Sequence, residues 1–128
     1  MPLVPPPLSP DLTARLRELY ESAPRTRVSL RELVNQHLRR TNSIAAHDPF
    51  VDAEKARKVA RSCLALLDAW QTLPPPRRGW VKAACLYFAE RDDEDDDFES
   101  DSGFDDDAEI VNHVAVLVGL SRLSIPRG

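Results

Sequence analysis

The clearest folding signal in this chain is the sequence AEKARKVARSCLALLDAWQ, residues 53–71. Its apolar side chains recur every three or four positions, a spacing that places them on one face of an α-helix. The helix is expected to begin after Asp48 or Asp52, because a carboxylate there accepts hydrogen bonds from the first backbone amides. The predicted buried face consists of Ala56, Val59, Ala60, Cys63, Leu66, Leu67 and Trp70. An apolar face of this length requires partner helices to cover it.

Two helices are predicted before this one, and each has a start signal. The first has Ser9 as its N-cap and Pro10 at its first helical position, where a missing N–H has no cost. The second has Ser29–Glu32 as a capping box, in which both side chains accept hydrogen bonds from backbone N–H groups. Val28 is expected to pack against Leu33, just inside that helix.

Two more helices are predicted after it. Three prolines, residues 74–76, end the central helix and start the next one, which is expected to run from about Arg77 to Ala89. The last helix is expected to begin within Asp105–Asp107, because negative charge suits the positive end of the helix dipole. It is apolar on nearly every side, which is typical of a helix at the centre of a bundle or against a partner. The chain shows no apolar/polar alternation, so no strand is predicted.

The predicted fold class is therefore all-α, a compact bundle of about five helices. A chain of 128 residues has the length of one domain. Residues 1–8 are expected to form a disordered Pro-rich arm, and residues 9–125 a single helical domain with an acidic loop before the last helix.

The sequence also predicts a cytoplasmic protein without a membrane segment. Its longest apolar run, Val114–Leu120, has seven residues, whereas a helix needs roughly twenty to cross a bilayer. The N-terminus lacks the basic and apolar regions of a secretory signal. Cys63 and Cys85 show no metal-binding spacing, so they are expected to be buried thiols.

Charge is distributed very unevenly along the chain. Between Glu90 and Glu109, the acidic segment, thirteen of twenty residues are Asp or Glu and Arg91 is the single base, which gives a formal charge of −12. The remaining residues carry +8, so the net charge of −4 conceals a basic body with an acidic segment. Such a charge run is most often a solvated loop that keeps the protein soluble. It is also suited to docking on a basic protein partner, through residues such as Asp95, Asp96 and Asp101.

A divalent cation, calcium or magnesium, is the alternative ligand of the acidic segment, since hard cations prefer several oxygen ligands. The segment does not match the calcium-binding EF-hand loop, because placing Gly103 at the glycine position puts Phe98 where the first oxygen ligand is needed. The candidate ligands are Asp93, Asp97, Asp106, Asp107 and Glu109.

Nucleic acid is the least favoured partner. Arg31, Arg39 and Arg40 lie on the predicted outer side of the second helix and would contact phosphates there. The connection over residues 41–51 is too long for a tight helix-turn-helix, and the acidic segment would repel DNA.

Residues 87–111 resemble the YkvA-like family of bacterial proteins of unknown function. The shared features are a Tyr that closes one helix, spaced aspartates, an Asp-Phe pair, a Gly and an Asp-Asp pair that opens an apolar helix. In this chain they are Tyr87, Asp93, Asp97-Phe98, Gly103 and Asp106-Asp107-Ala108. The resemblance implies an all-helical fold and fixed positions for these aspartates, and it implies no activity.

No catalytic motif is present, neither a nucleophile elbow nor a phosphate-binding glycine loop. We therefore expect a small, non-catalytic interaction or regulatory protein that binds a protein partner through the acidic segment, the apolar last helix or both. No cofactor is expected apart from the alternative cation, and a homo-oligomer is compatible with the sequence.

Overall fold

The computed structural model describes residues 5, 7–49, 51–90 and 105–125. These residues form five helices and no strand, which confirms the all-α prediction. The helices are α1 (Pro10–Glu21), α2 (Arg27–Ala45), α3 (Ala53–Asp68), α4 (Pro75–Glu90) and α5 (Asp105–Leu117). Short 3-10 turns at Trp70–Thr72 and Ser121–Leu123 follow α3 and α5. Within the described ranges, no helix has the length and apolar character needed to cross a membrane.

The starts of α1 and α3 are as predicted. The Ser9 hydroxyl accepts a hydrogen bond from the backbone N–H of Leu12 at 3.2 Å. The Asp52 carboxylate accepts one from the backbone N–H of Lys55 at 2.9 Å. Asp52, rather than Asp48, is therefore the N-cap of α3.

The predicted start of α2 is wrong: the helix begins three residues earlier than expected. Its N-cap is Thr26, whose hydroxyl accepts a hydrogen bond from the backbone N–H of Ser29 at 3.0 Å. The helix begins at Arg27, and Val28 remains 65% exposed, so it does not pack as a staple. Thr26 and Ser29 have equivalent capping chemistry, and the earlier residue adds most of a helical turn.

α4 lies at the centre of the bundle and packs against each of the other four helices. It begins at Pro75, two residues before the predicted start, because prolines at the first helical positions need no N–H partner. Every residue from Val81 to Phe88 is buried. The sequence suggested α5 for the centre, but the structure has the run of eight consecutive buried residues on α4, which is covered by helices on all sides.

The described part of the N-terminal arm is not entirely separate from the core. Residues 5 and 7–9 have no regular secondary structure. Leu8 is nevertheless half-buried and packs against the hydrophobic core. The remaining arm residues, 1–4 and 6, lie outside the described residues.

Candidate functional site

The acidic segment begins and ends on helices of the core. α4 ends at Glu90, and α5 begins at Asp105, whose carboxylate accepts a hydrogen bond from the ammonium group of Lys55 on α3. Residues 91–104 lie outside the described residues, and with them the candidate residues Asp93, Asp95, Asp96, Asp97 and Asp101. The structure therefore describes the helices on either side of residues 91–104 and the ion pair between Asp105 and Lys55.

The three described cation-ligand candidates differ in their exposure. Asp107 is 1% exposed and lies in the first turn of α5, so it is not part of an outer acidic surface. Asp106 is half-buried and Glu109 is exposed. Across residues 5, 7–49, 51–90 and 105–125, no three His, Cys, Asp or Glu side chains are grouped so that they could hold a metal ion. The cation hypothesis stays a prediction that depends on Asp93 and Asp97.

The apolar residues of α5 are used by the core of the chain itself. Ile110, Val111, Val114 and Ala115 are all completely buried. Leu117 is 37% exposed. In the described structure, α5 thus has little exposed apolar surface with which to bind a partner.

The predicted nucleic-acid residues lie on α2 and differ in their surroundings. Arg31 forms an ion pair with Asp68 at the end of α3. Arg27 lies 3.6 Å from the same carboxylate and also donates from Nε to the carbonyl oxygen of Leu67, at 3.0 Å. These contacts join α2 to α3. The two remaining candidates, Arg39 and Arg40, are exposed.

A buried lysine that sequence reasoning missed closes the C-terminal end of α1. Lys82 is 5% exposed. Its ammonium group donates to the carbonyl oxygens of Tyr20 at 3.0 Å, Ser22 at 2.8 Å and Ala23 at 3.5 Å. Burial, and secondly the positive charge of Arg25, lower the pKa of Lys82 from its ordinary value of 10.5. A cation at this end of a helix is favourable because the last carbonyl groups carry partial negative charge.

Lys82 also lines a cavity of about 200 Å³ at the N-terminal end of α4. We call it the cationic cavity. Its walls are formed by Pro24, Arg25, Trp70, Pro75, Arg78 and Lys82, together with Gly79. Among the described residues that line it, three are basic and none is acidic. The cavity thus combines apolar walls with three positive charges.

A second cavity, of about 280 Å³, lies beside α3 and the end of the described chain. Lys58, Arg61 and Ser62 contribute from α3, and Leu123 and Ile125 from the C-terminal side. Lys58 has a carboxylate nearby, that of Glu54 at 3.9 Å. Lys58 and Arg61 are both exposed.

Cys63 and Cys85 meet in the core, as predicted for buried thiols. Both side chains are completely buried, one on α3 and the other on α4. The hydrogen bond between the two thiols, followed by burial and the charge of Cys85, holds the pKa of Cys63 well above its ordinary value of 9.0. A thiol with a raised pKa is a poor nucleophile, and the complete burial of both side chains is typical of cysteines that pack in the core.

The sequence contained a signal for Lys82 but not for its partners. Lys82 is the one charged residue between Trp80 and Ala89, where every position of α4 is otherwise apolar or small. A lysine in such a run must reach either solvent or hydrogen-bond acceptors. Its acceptors lie about sixty positions earlier in the chain, and no local pattern identifies them.

Comparisons of this chain with protein-family models, with curated proteins and with solved structures give no match. The resemblance of residues 87–111 to the YkvA-like family stays a prediction.

Proposed function

We propose that this chain is a small, non-catalytic interaction protein that binds a basic protein partner through its acidic segment. The observation that carries the proposal is the charge of −12 within twenty residues, against +8 in the rest of the chain. Charge of one sign at this density attracts a surface of opposite charge and accelerates association with it.

The fold supports an electrostatic rather than an apolar mode of recognition. Four apolar residues of α5, Ile110, Val111, Val114 and Ala115, are completely buried in the core, which leaves the aspartates as the distinctive chemistry of this region. The ion pair between Asp105 and Lys55 connects the second end of the acidic segment to α3. A partner that binds Asp95, Asp96 and Asp101 would thus be held close to the helical bundle.

The test compares two variants with the same change in charge. Asp95→Asn, Asp96→Asn and Asp101→Asn together remove three negative charges from the acidic segment. The control variant removes three from exposed helix positions elsewhere, through Glu18→Gln, Glu21→Gln and Glu32→Gln. Proteins cross-linked to each variant in cells are identified by mass spectrometry, and the strongest candidate is then purified and titrated by calorimetry.

We expect the wild type and the control to bind the same basic protein, with an affinity that falls as salt increases because exposed charges are screened. The acidic-segment variant should bind it at least tenfold more weakly. Equal binding by all three proteins would refute docking through this segment. Heat on addition of calcium or magnesium that disappears with Asp93→Asn and Asp97→Asn would assign the segment to cation binding instead.

A further inference from the structure

The cationic cavity lies where three parts of the fold meet. Arg25 comes from the connection between α1 and α2, Trp70 from the 3-10 turn after α3, and Arg78 and Lys82 from successive turns of α4. Pro24, Pro75 and Gly79 complete the lining. The basic side chains therefore converge from separate elements on one space, rather than lying along one exposed face.

The two wall residues Arg78 and Trp70 hold each other in place. Arg78 donates from Nε to the carbonyl oxygen of Trp70 at 2.8 Å and from a terminal nitrogen to that of Gln71 at 3.4 Å. Its guanidinium carbon lies 5.8 Å from the centre of the Trp70 ring, within the range of a cation–π contact. These two hydrogen bonds use two of the five N–H donors of Arg78, so its guanidinium group can donate further hydrogen bonds to a ligand.

Lys82 contributes charge to this space rather than a ligand contact. Its three N–H groups are directed to the carbonyl oxygens of Tyr20, Ser22 and Ala23. Lys82 nevertheless lines the cavity, and the positive charge of Arg25 contributes to lowering the pKa of Lys82. Like charges brought together at a concave site are typical of a site for an ion of opposite sign.

We propose that the cationic cavity binds a small organic carboxylate, with its carboxylate group on the guanidinium groups of Arg25 and Arg78 and its apolar body against Trp70. Guanidinium groups match a planar carboxylate with two parallel hydrogen bonds. The ring of Trp70 and the prolines Pro24 and Pro75 favour an apolar body over a bare inorganic ion.

The size of the cavity limits the ligand. Its volume of about 200 Å³ is below the roughly 300 to 1,000 Å³ of sites for drug-sized molecules and cofactors. A nucleotide is too large for it, whereas a ligand with one ring or a short branched chain fits.

The test is a titration of the full-length protein followed by nuclear magnetic resonance. The chain has two tryptophans, so the indole N–H signal of Trp70 is assigned with Trp80→Phe. Benzoate is the probe, benzamide is its neutral counterpart of the same shape, and inorganic phosphate is an anion without an apolar body. We expect benzoate to move the Trp70 signal with a dissociation constant on the order of 1 mM, as suits so small a ligand.

Variants then identify the groups responsible. Arg78→Gln and Arg25→Gln should each weaken benzoate binding at least fivefold, whereas Arg39→Gln, an exposed arginine of α2, should not change it. Arg25→Gln alters a connection between helices, so it tests the proposal even where Arg78→Gln disturbs the fold. Three outcomes would overturn the proposal: an unmoved Trp70 signal, benzamide binding as tightly as benzoate, or phosphate binding as tightly as benzoate.

Discussion

Gly79 of α4 lies against the ring of Tyr20 of α1, so closely that a Cβ atom on Gly79 would stand 2.7 Å from Cε2 of the ring. The same ring is stacked on Trp80, with centroids 4.0 Å apart and planes at 29°. The absence of a side chain at Gly79 therefore lets the end of α1 approach α4. This approach brings the last carbonyl groups of α1 within reach of Lys82.

Gly79→Ala should destabilise the protein, although alanine is the better helix former. The added methyl group must displace Tyr20 and disrupt its stacking on Trp80, at a cost of about 1 to 3 kcal/mol for overpacking. Helix propensity returns up to about 1 kcal/mol. We expect a net loss of about 1 kcal/mol in the free energy of unfolding, measured by urea denaturation.

The background Tyr20→Ala provides the control for this effect. Without the ring, Gly79→Ala meets no obstacle and should be neutral or stabilising by up to about 1 kcal/mol. The same destabilisation in both backgrounds would show that the ring is not the cause.

The start of α2 can be tested with two hydroxyl residues three positions apart. Thr26→Ala removes the observed N-cap and should lower the free energy of unfolding by about 1 kcal/mol. Ser29→Ala, at the start favoured by the sequence pattern, should change it by less than about 0.5 kcal/mol. Thermal or urea denaturation of both variants decides between the two starts, and a larger loss for Ser29→Ala would contradict the structure.

Lys82→Met should destabilise the protein at pH 7 because the carbonyl groups of Tyr20 and Ser22 lose their donor. The expected loss is about 1 to 3 kcal/mol. Lys58→Met, which removes an exposed charge from α3, should stay within about 0.5 kcal/mol of the wild type. A loss no larger than that of the Lys58 variant would mean that water replaces Lys82 at the end of α1.

The same lysine should respond to pH in a defined direction. The pKa of Lys82 is lowered by folding, so the unfolded chain holds this proton more firmly. As pH rises towards the ordinary pKa of 10.5, the stability of the wild type relative to Lys82→Met should therefore increase. Urea denaturation at pH 8, 9 and 10 measures this difference, and a constant or falling difference would contradict a lowered pKa.

Cys63 should have the opposite effect. Its pKa is raised by folding, so the unfolded chain loses this proton first, from about the ordinary value of 9.0. Above that pH the contribution of Cys63 to the stability of the wild type should fall, by at most about 1.4 kcal/mol per pH unit for one proton. The decline should be shallower in Cys63→Ala, and because both proteins retain Lys82 its contribution cancels in the comparison. Equal slopes would show that the pKa of Cys63 is not raised.

The sequence predicted the parts of the fold that depend on local patterns. The cap at Ser9 is as expected, and the cap of α3 is one of the two aspartates expected, Asp52 rather than Asp48. The start of α2 was misplaced because Thr26 and Ser29 are chemically equivalent caps. The central position of α4 depends on the packing of all five helices, which no single segment encodes.

The candidate sites were predictable to different degrees. The acidic segment can be identified from the sequence alone, because counting the charged residues along the chain reveals it. The cationic cavity is not, because Arg25, Trp70 and Arg78 come from three elements that only the folded chain brings together. The ion pair between Lys55 and Asp105 spans fifty positions and is likewise a product of the fold.

The contact of α4 with every other helix has a consequence for how the chain is made. No smaller set of these helices encloses the run from Val81 to Phe88, because α5 supplies one of its sides. On the ribosome, this run and the negatively charged stretch after it emerge before α5, the helix that completes the cover of the run. The repulsion among those charges would then keep nascent chains apart until folding can finish.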